Sequence, residues 1–198
     1  MKTEEINRLK DQMILAAQRA YTRGIQMGNG GNFSARISGK ELMIVKSSGN
    51  SFIDANRQNL LVTDFDGNVI SGSSKPTREA LLHGYIYKIS PGVGGIMHCH
   101  SPWSIAWTST KKSLDGVTLH MQLKAGNPIE VLDVKTPVVE NKDFYLIKEL
   151  FEKYPDLFAF LLKDHGIVAL GDNVLNAEHN AQMVEETAMI AVLKRLML

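Results

Sequence analysis

A chain of 198 residues with 44% hydrophobic and 22% charged residues has the size and composition of one globular domain with a full core. Its formal net charge of +1, with no basic run beyond Lys111-Lys112 and Lys194-Arg195, excludes the global field that draws nucleic acid or an acidic membrane. The single cysteine excludes an internal disulfide, the first ten residues lack a signal peptide's apolar core, and no apolar stretch is long enough to span a bilayer. The expectation is a cytoplasmic protein with neither a nucleic-acid nor a membrane partner.

Residues 4–27 carry Ile6, Leu9, Met13, Ile14, Ala17 and Tyr21 at helical spacing, with Thr3 as the cap. The helix is expected to stop at Gly28-Asn29-Gly30-Gly31-Asn32, where several residues take positive φ at little cost. Residues 33–37 and 41–45 read as a hairpin through Ser38-Gly39-Lys40, and residues 60–65 and 68–71 as strands joined by Asp66-Gly67. Pro76 predicts a helix beginning near Thr77, since a proline in the first turn has no needed N–H to lose. The apolar run 93–97 is a short strand leading into His98, followed by a helix with Trp103, Ile105, Ala106 and Trp107. Residues 114–128 carry no assignable pattern. Beyond them come a strand at 130–135 and a helix at 144–154 stopped by Pro155. Strands at 159–163 and 167–170 flank Asp164-His165-Gly166, and a long amphipathic helix occupies 174–198. Hairpins with helices interspersed rather than strictly alternating predict an α/β fold of the α+β type. Its centre is a mixed, mainly antiparallel sheet sandwiched by helices, in one domain over residues 1–198.

Two features point to chemistry. On a strand, His98 and His100 project from one face and Cys99 from the other, so the two imidazoles are spaced to grip one ion. His165, in a turn after a strand, completes a set of three nitrogens, with Glu79 as carboxylate; catalytic zinc takes three protein ligands and keeps a position open. His83, four residues after Glu79, reads as a buried, hydrogen-bonded histidine rather than a ligand, and His179 as an exposed one. The second feature is three small-residue loops, at 29–32, 47–50 and 76–78, each offering N–H groups, hydroxyls or amides suited to a phosphate.

The motifs G-G-N-F-S-A-R at 30–36, S-S-G at 47–49, K-P-T-R-E at 75–79, H-C-H-S at 98–101 and D-H-G at 164–166, in this order and spacing, resemble the class II aldolase/adducin family. The resemblance covers nearly the whole chain, and the H-x-H, later H-G and P-x-x-E together are its specific part. It implies that His98, His100 and His165 bind one zinc per subunit. It also implies that Glu79 is the catalytic acid/base and ligates the metal when substrate is absent. The substrate phosphate then falls to Gly31, Asn32, Ser48, Gly49, Thr77 and Arg78. It further implies a homotetramer acting on a phosphorylated sugar. The reaction implied first is that of a zinc-dependent lyase of the aldolase type, cleaving a ketose 1-phosphate to dihydroxyacetone phosphate and an aldehyde through an enediolate.

Two departures open alternatives. The family's aldolases usually have two serines before the glutamate, where this chain has Thr77-Arg78; Arg78 can clamp a phosphate or read a substrate carboxylate. The aldolases also use a tyrosine, delivered from the neighbouring subunit, where this chain has Met121, and a C-terminal tail beyond the last helix, leaving His120 as the nearest proton donor. The first alternative is therefore a decarboxylase of an oxo-tetronate-like phosphate on the same scaffold. A pentulose-phosphate 4-epimerase follows, weakened because such enzymes carry an aspartate in place of Glu79. A family dehydratase is weakened by Gln122 standing where a glutamate is expected. A non-catalytic adducin-like assembly protein comes last, because all four metal-ligand positions are filled.

Overall fold

The structure, a computed structural model, describes residues 3–124 and 126–197. Helix α1 (Thr3–Thr22) leads into strands β1 (Asn32–Arg36), β2 (Leu42–Lys46), β3 (Leu60–Asp64) and β4 (Val69–Ser71). Helix α2 (Ala80–Ile89), strand β5 (Gly95–Cys99), helix α3 (Pro102–Thr108) and the short helix α4 (Leu119–Lys124) follow. The chain closes with β6 (Val131–Leu132), α5 (Phe144–Lys153), β7 (Ala159–Leu162), β8 (Gly166–Gly171) and α6 (Val174–Leu196). The eight strands form one sheet in the order β4-β3-β2-β1-β5-β8-β7-β6, antiparallel throughout except between β6 and β7. This is the mixed, mainly antiparallel sheet that the hairpin pattern predicts.

Strand alternation sorts the core into two layers. On one face Phe33, Ala35, Met97 and Cys99 pack with Met13 and Ala17 of α1 and Ala177 and Val184 of α6. On the other, Ile96, Val168 and Leu170 pack with Leu82 and Ile86 of α2 and Ile147 and Leu150 of α5. His98 follows Ile96 by two residues, so it emerges on the α2 side. Helix α3 is tied into the first layer from across the core. The buried Glu185 of α6 accepts the N–H groups of Trp103 and Ser104, both at 2.9 Å, capping α3's first turn. Among the described residues no helix is long and apolar enough to cross a membrane.

Helix boundaries differ from the sequence expectation where a tertiary contact or a cap decides. Thr3 is the first helical residue rather than the cap, and α1 ends at Thr22, not at Gly28. Gly24, at φ +73°, donates to Tyr21 O while Ile25 donates to Ala20 O, both at 3.0 Å; this pair of bonds closes the last carbonyls of the helix. Helix α2 begins at Ala80 instead of Thr77. Thr77 N–H is bound by Lys46 O at 3.0 Å and Ser48 N–H by Lys75 O at 2.9 Å, so Pro76 lies in a bridge opposite Ser47 and the segment is held extended. Leu114 and Ile129 form a bridge that brackets α4, in the stretch from 114 that carries no sequence pattern.

Helix α2 sits unusually close to the sheet edge. A β-carbon at Gly84 would lie 1.8 Å from the carbonyl oxygen of Phe65. Helix propensity alone would make Gly84→Ala stabilising. The contact reverses this, and the substitution is expected to lower unfolding free energy by about 2–3 kcal/mol. A urea midpoint equal to or above wild type would contradict the packing described.

Candidate metal and anion site

The site begins at the end of β5. His98 is wholly buried, and its Nδ1–H donates to Ile167 O of β8 at 2.8 Å, which leaves the Nε2 lone pair pointing away from the strand. That nitrogen lies 3.3 Å from His165 Nε2 and 3.3 Å from Glu79 Oε2. His100 completes the group, its ring centroid 5.1 Å from that of His98 and 4.9 Å from that of His165. The three histidines each offer a ligand atom within 4.8 Å of the others. Each ring is set by a different device. The backbone N–H of His100 donates to Oε1 of the buried Gln26 at 2.8 Å, which docks the loop after α1 onto this strand end. His165 follows Asp164, whose φ of +55° tightens the turn and whose N–H is held by Thr108 Oγ1 of α3 at 3.0 Å.

Burial keeps these imidazoles neutral. Desolvation pushes His98, His100 and His165 from the ordinary 6.5 down to about 4, with mutual repulsion adding at His100 and His165. The 3.3 Å approach of His98 to Glu79 is therefore not an ion pair at neutral pH. It brings a lone pair and a carboxylate oxygen together, an arrangement that a cation between them would relieve. Glu79 itself is 5% exposed; Oε2 accepts from Asn32 Nδ2 at 2.7 Å, and Oε1 is buried with no hydrogen-bond partner among the described residues.

The pH consequence has a definite sign. The unfolded chain protonates these histidines near 6.5, whereas the folded chain resists until about 4. The unfolded state thus binds more protons in that window, and stability is lost as pH falls from 6.5 toward 4. For the fully buried His98 the slope approaches about 1.4 kcal/mol per pH unit. The urea midpoint of metal-free protein is expected to fall steadily between pH 7 and pH 4.5; a flat profile would contradict neutral histidines.

All three small-residue loops meet here, around a cavity of about 210 Å³. Asn29, Gly30, Gly31 and Asn32 form one wall, Ser48 and Gly49 another, and Thr77, Arg78 and Glu79 a third, with His100 and His165 at the base. The N–H groups of Ser48 and Thr77, expected as anion donors, are used to bind the two loops to each other. These residues therefore offer hydroxyls, and the loops reach the cavity as a stitched pair. Sequence reasoning missed Lys46, Gln26, Pro137 and Val138. Lys46, the last residue of β2, lines the cavity, is 2% exposed and is held by Asn50 O. Desolvation lowers its ammonium to about 8, so it remains mostly charged at neutral pH. The only hint in the sequence is a lysine directly before Ser47-Ser48-Gly49. Pro137 and Val138, from the loop before α5, supply an apolar rim that no pattern announced.

The remaining candidates lie elsewhere. His83 is buried and bonded to Ser34, and His179 is exposed, both as expected. His120, expected as the nearest donor for an aldehyde fragment, lines a separate cavity beside Trp103 and Met183, and Met121 is packed in the core. The cause is α4, which turns that stretch toward α6 and away from the histidines.

The sheet's strand ends and the start of α2 thus bring three imidazoles and a carboxylate to one cavity whose walls carry cations, amides and hydroxyls, a candidate site for a metal and an anion. The sequence profile described as "Class II Aldolase and Adducin N-terminal domain" matches residues 11–192, and the chain belongs to the class II aldolase/adducin family. It is 30% identical over 188 residues to the 3-oxo-tetronate 4-phosphate decarboxylase of Escherichia coli K12, covering 92% of this chain and 85% of that one. It is 26% identical to an L-ribulose-5-phosphate 4-epimerase of Salmonella paratyphi C, covering 96% and 86% of the two chains. Among solved structures it is similar to an L-fuculose 1-phosphate aldolase, with a TM-score of 0.84 at 26% identity over 96% of this chain and 87% of that one.

Proposed function

We propose that the protein is a zinc-dependent lyase that decarboxylates a phosphorylated 3-oxo sugar acid, leaving the enediolate of dihydroxyacetone phosphate. The observation that carries this reading is the presence of two cationic side chains, Lys46 and Arg78, on the walls of the cavity that holds His100, His165 and Glu79. A phosphate and a carboxylate each find a cation there, whereas a ketose 1-phosphate presents only one anionic group. Likeness to the Escherichia coli decarboxylase supports the same choice.

The donor set fits zinc: three neutral imidazoles, with Glu79 Oε2 3.3 Å from His98 Nε2. Bound by His98, His100 and His165, the ion would act as a Lewis acid on the substrate's carbonyl oxygen. The chain's own residues do the rest. Lys46, Ser48, Gly49, Thr77 and the 29–32 loop hold the phosphate, so that a non-reacting group sets the register of the reacting one. Arg78 holds the carboxylate until its bond to C2 breaks; carbon dioxide leaves, and the electron pair passes into the enediolate. Glu79, steadied by Asn32, then passes to C2 a proton taken up from solvent, giving dihydroxyacetone phosphate.

Retro-aldol cleavage of a ketose 1-phosphate passes through the same enediolate and remains the second reading, favoured by the likeness to the fuculose-phosphate aldolase. It needs a further group to take the hydroxyl proton of the departing aldehyde. Carbon dioxide leaves without such a proton; within one chain His120 and Met121 lie away from the cavity, so in the aldolase reading that group would have to come across a subunit contact. The deciding experiment incubates zinc-loaded protein with 3-oxo-tetronate 4-phosphate and, separately, with ketose 1-phosphates. Carbon dioxide and dihydroxyacetone phosphate in equal amounts from the first support decarboxylation. An aldehyde with dihydroxyacetone phosphate from the second alone reverses the order of the readings. The proposal also includes a homotetramer in which α4, with Leu119 and Leu123 80% and 88% exposed, lies in a subunit contact. Light scattering that gives the mass of one chain would remove that part.

A further inference from the structure

One buried polar group near the cavity has no part in the chemistry above. His83 sits one helical turn after Glu79, is wholly buried, and is lowered by that burial to about 3, so it is a neutral imidazole. Its Nδ1 lies 2.7 Å from Ser34 Oγ, and Ser34 Oγ lies 2.8 Å from Tyr87 Oη, one further turn along α2. Its Nε2 is buried and has no hydrogen-bond partner among the described residues.

These contacts belong to a longer seam. Glu79, His83 and Tyr87 are spaced by four and share one face of α2, while Asn32, Ser34 and Arg36 are spaced by two and share one face of β1. Glu79 pairs with Asn32, and His83 and Tyr87 with Ser34. Arg36 donates to the carbonyls of Tyr87, Ser90 and Val93 at the far end of the helix. Four helical residues rise about 6.0 Å and two strand residues about 6.6 Å, so polar rungs at this spacing stay matched along both elements. Apolar packing alone would let α2 slide or roll on the sheet, because such contacts carry no direction. The hydrogen bonds fix one register. A chain that needed only a filled core would gain from an aliphatic side chain at position 83, since an unpartnered imidazole nitrogen costs stability there.

We propose that His83 is a positioning residue: by bonding Ser34, and through it Tyr87, it sets the register of α2 on β1 that presents the Glu79 carboxylate to the histidine cluster. The inference rests on the role of Glu79 given above. Its readouts are chosen so that the two can fail separately.

The test uses His83→Leu, His83→Asn and Glu79→Gln in full-length, zinc-loaded protein. For His83→Leu, kcat for dihydroxyacetone phosphate release falls at least 30-fold and KM stays within threefold. Zinc remains at one per chain, and the melting temperature is unchanged or higher. His83→Asn, which can still bond Ser34 from its side-chain amide, recovers kcat to within about fivefold of wild type. In the crystal structure of His83→Leu, the Glu79–Asn32 hydrogen bond is lengthened or lost. A His83→Leu enzyme within threefold of wild-type kcat overturns the proposal. So does a loss of kcat matched by unfolding, loss of zinc or failure of the asparagine to rescue, since each marks a purely structural role. Ser34→Ala breaks the seam from the strand side and must also lower kcat; if it does not, the proposal falls even where His83→Leu cannot be purified. Should Glu79→Gln retain wild-type turnover, the reading of Glu79 fails, whereas the displacement of Glu79 in the His83→Leu crystal still reports on the seam.

Discussion

Glu79→Gln is expected to lower kcat by about 10²- to 10⁴-fold while leaving zinc content and folding unchanged. The amide is isosteric with the carboxylate, and its oxygen can still accept from Asn32 Nδ2, so the bond that steadies the side chain survives. What is lost is the side chain's ability to take up and give back a proton. Solvent deuterium gives an independent readout: wild-type enzyme places one deuteron at the product carbon stereospecifically, and the variant loses that selectivity along with rate. Wild-type turnover in Glu79→Gln would remove Glu79 from the chemistry.

The second large effect is expected at His98. His98→Ala removes one nitrogen from the cluster and the Nδ1–H that binds Ile167 O, and it opens a cavity between β5 and α2. Zinc is expected to fall from one per chain to below about a tenth, since an open site has no spare ligand to lose. Unfolding free energy should drop by about 2–4 kcal/mol from the lost packing and the orphaned carbonyl. His165→Ala separates the two effects. His165 sits half-buried in a turn, so its loss should empty the site equally while lowering stability less. Inductively coupled plasma analysis and urea titration measure both quantities. Full zinc retention in either variant would refute the assigned ligand set.

The histidine cluster was legible because it rests on local rules. Two-residue alternation puts His98 and His100 on one face, and His165 stands in a turn that a strand presents. Family motifs supplied what spacing could not, namely that Glu79 and three separate loops converge. Lys46 stayed hidden because a lysine at the end of an apolar strand reads as its solvent-facing terminus; only the fold over it shows that it is buried. The start of α2 was misplaced for a similar reason. Backbone bonds from Lys46 and Lys75, set by tertiary packing, overrule a local proline signal. The end of α1 was misplaced between two glycines, and the one that completes a cap with Ile25 won. The stretch from 114 has no period because a bridge and one short helix, rather than a long regular element, place its buried side chains Leu114 and Met121. Arg78 is ambiguous in the sequence, and its place on the same cavity as Lys46 favours decarboxylation over aldol cleavage.

The strand order carries a last consequence, for how the centre comes into being. Asn32 lies opposite His98, and His98 opposite Val168, so the site closes only when β1, β5 and β8 have all paired across long intervening stretches. Such distant pairings are slow to form. On the ribosome, two of the three imidazoles emerge long before the third, and Glu79 waits for β1 and β5 to meet. No early fragment can hold the ion with a full set of ligands. A metal at this centre would therefore enter a nearly finished protein: folding would build the centre, and the centre would not template the folding.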